Sequence, residues 1–110
     1  MPTPEEFFAI DMRVGTVLNA EPFPEARKPS IKLLIDFGPE LGQKRSSAQL
    51  TMHYTPEQLV GRQVIGVVNI GTRRIAGFTS ETLVLGGMPT VTEVVLLAPD
   101  QPVANGTRIG

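Results

Sequence analysis

Basic pairs and aromatic rings are the groups in this chain most able to do chemistry. Arg27-Lys28, Lys44-Arg45 and Arg73-Arg74 account for six of the ten basic residues. Phe23 stands four residues before Arg27, and Phe78 stands four after Arg74. Guanidinium groups hold phosphates through paired hydrogen bonds and stack on bases, and aromatic rings give stacking platforms for bases. Basic residues interleaved with rings therefore point to binding, with nucleic acid as one ligand class.

Groups that could carry a reaction are sparse. His53 is the one histidine and there is no cysteine, so thiolate chemistry, disulfides and thiolate metal sites are excluded. A zinc site would need carboxylates that nothing in the spacing gathers around His53. The acidic residues are scattered singly, apart from Glu5-Glu6 at a helix start, and no spacing suggests an acid–base pair. Ser46, Ser47 and Ser80 lack the strand-to-helix elbow of an activated nucleophile. The glycines form neither a phosphate-binding loop nor a dinucleotide fingerprint. The expectation is a binding module, not an enzyme, with no cofactor and no metal.

The whole chain, 110 residues with a net charge of −1, is read as a single domain over residues 1–110. A near-neutral molecule has no global field drawing it to nucleic acid, so such a site has to be a local patch. The first residues, Met1-Pro2-Thr3-Pro4-Glu5-Glu6, lack the basic and apolar regions of a signal peptide. No apolar run approaches the roughly 20 residues of a membrane span. Cytoplasmic localisation without membrane insertion is the expectation.

These residues need elements to position them. Thr3-Pro4-Glu5-Glu6 is a helix start with a capping box, and the short helix carries Phe7 and Phe8. One of those rings is expected on the core and one against a partner subunit, with both as ordinary core the alternative. From Ile10, alternation puts Ile10, Met12, Val14, Thr16, Leu18 and Ala20 on a buried strand face. A proline-rich loop, Glu21 to Pro29, carries Phe23, Arg27 and Lys28. A second strand, Ser30 to Phe37, directs Ile31, Leu33, Ile35 and Phe37 inward, opposite Lys32 and Asp36. Gly42 to Leu50 reads as a third strand showing either Lys44, Ser46 and Ala48 or Arg45, Ser47 and Gln49. Thr55-Pro56-Glu57-Gln58 starts a helix that Gly61 ends. Strands near Gln63–Asn69 and Glu81–Leu85 follow, joined by a basic loop from Ile70 to Thr79. Glu93 to Ala98 makes an extra strand, and Pro99 to Gly110 is a tail anchored by Val103 and Ile109. This order predicts an all-β, five-stranded OB-fold barrel with a short N-terminal helix, a helix between strands three and four, and a C-terminal extension. In that fold ligands lie across strands two and three, between the one–two and four–five loops. Those loops are the two that bring Phe23 and Phe78.

Ile10-Asp11-Met12-Arg13-Val14-Gly15-Thr16-Val17 resembles the opening strand of the tRNA-binding domain family. These are OB modules fused to some methionyl- and phenylalanyl-tRNA synthetases, or free-standing. The resemblance continues through Tyr54 to Arg62, Val67-Val68-Asn69, Gly77, Ser80-Glu81 and Leu83-Val84-Leu85. Phe23 to Arg27, Ile31-Lys32-Leu33, Ser46-Ser47-Ala48-Gln49 and Arg73 to Phe78 are similar to the motifs of the family's export-related chaperone branch. It implies a homodimer joined through its terminal segments, with tRNA and unfolded or pre-export polypeptides as partners. Asn69 and Ser80 match residues on the family's RNA side. The implied RNA-binding set is Lys44, Arg45, Ser46, Asn69, Arg73, Arg74 and Ser80, and the polypeptide-binding set is Phe23, Ile75 and Phe78. Leu83 replaces a methionine common in tRNA-binding members, which tilts the expectation toward a chaperone that also binds tRNA. The alternative is a tRNA-binding protein with no chaperone role.

Overall fold

A computed structural model describes residues 1–110. The chain runs α1 (Pro4–Phe8), β1 (Met12–Pro22), β2 (Ile31–Asp36), α2 (Gly38–Leu41), β3 (Gln43–Ala48), α3 (Pro56–Leu59), β4 (Gln63–Val67), β5 (Arg73–Ile75), β6 (Phe78–Ser80), β7 (Leu83–Val84), β8 (Gly86–Thr90) and β9 (Glu93–Leu96). Antiparallel pairing gives a five-stranded sheet in the order β3-β2-β1-β4-β7. The sheet curls until its edges meet. The Glu81 N–H donates to the Arg45 carbonyl at 2.7 Å, and the Ser46 hydroxyl donates to the Thr82 carbonyl at 2.8 Å. This is the expected OB barrel.

Inside it, β2 contributes Ile31, Leu33 and Ile35 by simple alternation, and Phe37, Leu50, Leu59, Val64 and Val84 complete the packing with Val17. The β1 face departs from the alternation expected of it. A Cβ on Gly15 would lie 2.6 Å from Ile35 and 2.8 Å from Phe37, so Gly15 and Val17 point into the barrel. Val14 lies on the outer face. It is buried because the C-terminal tail pairs over it, through Val14 N–H to the Thr107 carbonyl and Gly106 N–H to the Val14 carbonyl. An outer face that is itself covered reads as apolar, which inverts the apparent parity. A bulge between Val17 and Asn19 then turns Leu18 out to solvent and returns Ala20 to the core.

Both capping boxes form: Thr3 with Glu6, and Thr55 with Gln58. Neither Phe7 nor Phe8 packs into the core; they are 43% and 48% exposed and stack edge-to-face at 5.1 Å. The expected basic loop is a two-stranded hairpin, β5–β6, turning through Ala76 and Gly77 with φ of 48° and 82°. Two positive φ values in succession give the turn that matches strand twist in a tight hairpin. The expected extra strand is likewise half of a hairpin, β8–β9. In the tail, Val103 is held through its backbone by the Gln63 side chain and leaves its own side chain exposed. Among the helices, none is long and apolar enough to cross a membrane.

Candidate nucleic-acid and polypeptide interface

Alternation along β5–β6 divides the hairpin's side chains between two faces. Arg73 pairs across with Ser80 and Ile75 with Phe78, so these four share one face, while Arg74 and Thr79 share the other. The Arg74 guanidinium is held on its own side by the Thr79 hydroxyl and the Gly77 carbonyl, each at 3.2 Å. The Arg73 side chain is exposed and makes no ion pair within the chain.

Phe78 ties the hairpin to the barrel. Its ring meets Phe23 edge-on at 5.5 Å. Lys32 Nζ lies 4.6 Å from the centre of Phe23 and 5.3 Å from that of Phe78, and the Arg45 guanidinium carbon lies 5.8 Å from Phe78. Ammonium and guanidinium groups over ring faces are attracted to the ring quadrupole. Phe23 itself is 3% exposed and packs beneath Phe78 and Lys32, outside the main core cluster, so it supports Phe78 and offers no surface to a ligand. Lys32 joins this cluster because β2 alternation faces it outward opposite Ser47. That alternation was visible in the sequence, although Lys32 stands outside the expected binding set.

The β3 register shows Arg45 and Ser47 outward. Ser46 is 1% exposed and spends its hydroxyl on Thr82, so it closes the barrel and does not reach a ligand. Lys44 is partly buried, opposite Ile35. Arg45 pairs with Glu81 at 3.2 Å. The Arg45 backbone N–H, and then its guanidinium, hold the Glu81 carboxyl below the usual glutamate range. Asn69 is engaged at both ends of its amide: its oxygen accepts from Asp11 N–H at 2.9 Å and its nitrogen donates to the Ala9 carbonyl at 2.8 Å. It fixes the junction between α1 and β1.

A groove of 580 Å3 runs between the β1–β2 loop, β3, β5 and the β8–β9 hairpin. Ile75, Leu83 and Met88 give it apolar walls, and Arg27, Lys28 and Arg73 stand at its rim. No carboxylate lines it. A second depression of 430 Å3 adjoins the first, bounded by Thr72, Ser80 and Thr82, and it too has no acidic lining. The local positive patch on a near-neutral chain therefore exists. Met88 was missed as a lining residue because β8 does not announce itself: Gly86-Gly87-Met88-Pro89-Thr90 has no strand-like run, whereas Leu83 lies on the expected strand near Glu81–Leu85, whose outward face alternation alone did not fix.

Comparison with known proteins agrees with this geometry. Residues 12–108 match the family model "Putative tRNA binding domain". The chain is similar to the solved chaperone CsaA of Bacillus anthracis str. Ames, with 55% identity, a TM-score of 0.95, and coverage of 100% of this chain and 99% of that one. Similarity to the CsaA chaperone protein of Picrophilus torridus is 43%, with a TM-score of 0.91 and complete coverage of both chains. The methionine–tRNA ligase of Porphyromonas gingivalis is 35% identical over 105 residues, which are 96% of this chain and 15% of the ligase. The chain thus spans about 15% of the length of the curated relatives it matches. Fold, family model and structural neighbours converge: the chain belongs to the tRNA-binding domain family and is CsaA-like within it.

Proposed function

We propose that residues 1–110 form one non-catalytic binding module that holds tRNA on its basic face and unfolded or pre-export polypeptide in its apolar groove. The observation that carries this reading is the groove itself, where Ile75, Leu83 and Met88 lie under a rim of Arg27, Lys28 and Arg73 with no acid among them. Arg73 and Arg74 contact RNA phosphates, with Lys44, Arg45 and Ser80 alongside, and Asn69 and Ser46 act by positioning these elements. Ile75, and the half-exposed part of Phe78 braced by Phe23, contact polypeptide. The chaperone role takes its support from the CsaA neighbours and from this groove. The tRNA role takes its support from the family model and from the tRNA ligases sharing this domain.

The module acts as a cytoplasmic homodimer. Phe7, Phe8 and Ile10 form an exposed apolar patch on a capped helix whose far end is tied down by Arg108, which donates to the Phe8 carbonyl at 2.6 Å. A rigid apolar surface of this kind gains by being covered. Light scattering behind size exclusion checks this: wild type gives a dimer mass, and a Phe7→Asp/Phe8→Asp variant gives a folded monomer. A monomeric wild type contradicts it. Ligand function is tested by titrating labelled tRNA and, separately, by following light scattering of a chemically unfolded client during dilution. Saturable tRNA binding and suppressed aggregation are expected. Absence of both overturns the proposal.

A further inference from the structure

We infer that RNA and polypeptide exclude one another on this module, because the two depressions share a single wall. This rests on the two-ligand reading above and adds its regulation. The wall consists of Ser47, Arg73, Ile75 and Leu83, which line both the 580 Å3 groove and the 430 Å3 depression beside it. Arg73 and Ile75 are alternate residues of one strand on one face, which sets their backbones roughly 7 Å apart. A phosphate held by Arg73 brings its hydration shell against Ile75 and Leu83. An apolar segment packed on Ile75 and Leu83 strips water from Arg73. Each ligand thus imposes a desolvation cost on the other's contacts.

Arg74 separates the two effects. Its guanidinium lies on the opposite hairpin face, anchored by Thr79 and Gly77, and lines neither depression. Arg73 is thus a contact for both ligands and Arg74 a contact for RNA alone. Because linkage is reciprocal, each ligand weakens the other by the same factor. Salt sets the winner: raising it releases RNA, whose contacts are with phosphate, and leaves apolar burial intact.

The test uses the full chain with fluorescein-labelled, reduced and carboxymethylated lactalbumin as polypeptide probe and unfractionated tRNA as competitor. The probe carries added carboxylates, so it does not associate with RNA. Each ligand is first titrated alone, and failure of either to bind contradicts the two-ligand reading, not the exclusion. With both bound singly, tRNA at ten times its own Kd is expected to raise the apparent polypeptide Kd about tenfold and, at saturation, to release all the probe. Arg73→Ala is expected to weaken both ligands, and Arg74→Ala to weaken RNA while leaving the probe unchanged. A complex that retains probe at undiminished affinity under saturating tRNA overturns the inference, as does an Arg73→Ala variant that loses RNA alone.

Discussion

Ser46 shows how a residue can belong to a binding motif and still act from inside the barrel. Its hydroxyl and that of Thr82, which donates to the Val67 carbonyl at 2.6 Å, stitch β3, β4 and the segment before β7 together where the sheet closes. Ser46→Ala removes the shorter of the two hydrogen bonds to the Thr82 carbonyl, leaving that from the Ser80 hydroxyl at 3.3 Å, and should cost about 0.5–1.5 kcal/mol. Urea unfolding should show that loss while tRNA affinity of the folded variant stays unchanged; a loss of affinity with stability intact would return Ser46 to the ligand surface. Charge acts at this scale too. Asp11 accepts from Arg13 at 2.6 Å, and that hydrogen bond holds its carboxyl below the ordinary value of 3.8, as Arg45 does for Glu81 below 4.5. Because both folded-state values are depressed, the stabilisation is complete above those ordinary values and is lost as pH falls through the folded ones. Both groups are partly exposed, so solvent screening keeps each contribution small. A Glu81→Gln variant should therefore differ slightly from wild type in thermal midpoint at pH 7, and the gap should close as pH falls below 4.5. A gap that widens on acidification would contradict the assignment.

Elements were legible from the sequence where local rules suffice. The two capping boxes, the β2 alternation and the helix between β3 and β4 follow from residues within a turn or two of each other. The β1 parity was not legible, because Val14 owes its burial to Thr107 and Gly106, more than ninety residues away. Nor was β8, where packing requires a glycine at position 86: a Cβ at Gly86 would collide with the Val94 side chain, whereas one at Gly87 would meet only the Val95 carbonyl at 3.9 Å. The β5–β6 turn needed φ of 48° at Ala76, a conformation the residue type does not advertise. At the candidate site, the basic pairs could be read but not their faces, since the split between Arg73 and Arg74 depends on the hairpin. Glycine also sets the barrel's fit around Phe37. Added Cβ atoms at Gly15 and Gly66 would each stand 2.8 Å from that ring, so β1 and β4 approach it only without side chains there. Gly66→Ala is expected to destabilise by about 1–3 kcal/mol through overpacking, as measured by thermal unfolding. An unchanged midpoint would mean that Phe37 repacks freely.

Across the molecule, charge is distributed so that a protein with net charge −1 presents two adjoining depressions with no acidic lining. Glu81 and Glu21 are paired with Arg45 and Lys32, and Glu25, next to the lining residues Ala26 and Arg27, makes no ion pair and lines neither depression. Arg27, Lys28 and Arg73 make no ion pair within the chain. The central claim is that this asymmetry binds RNA phosphate, and the salt dependence of tRNA binding tests it most directly. With three phosphate contacts, from Arg73, Arg74 and one of the groove pair Arg27-Lys28, raising salt from about 50 to 200 mM should weaken binding by about 20–40-fold. An Arg73→Ala/Arg74→Ala variant should bind more weakly and keep only the shallow slope of one remaining contact. Wild-type affinity that holds constant across that range, or a double variant with an unaltered slope, would contradict the account.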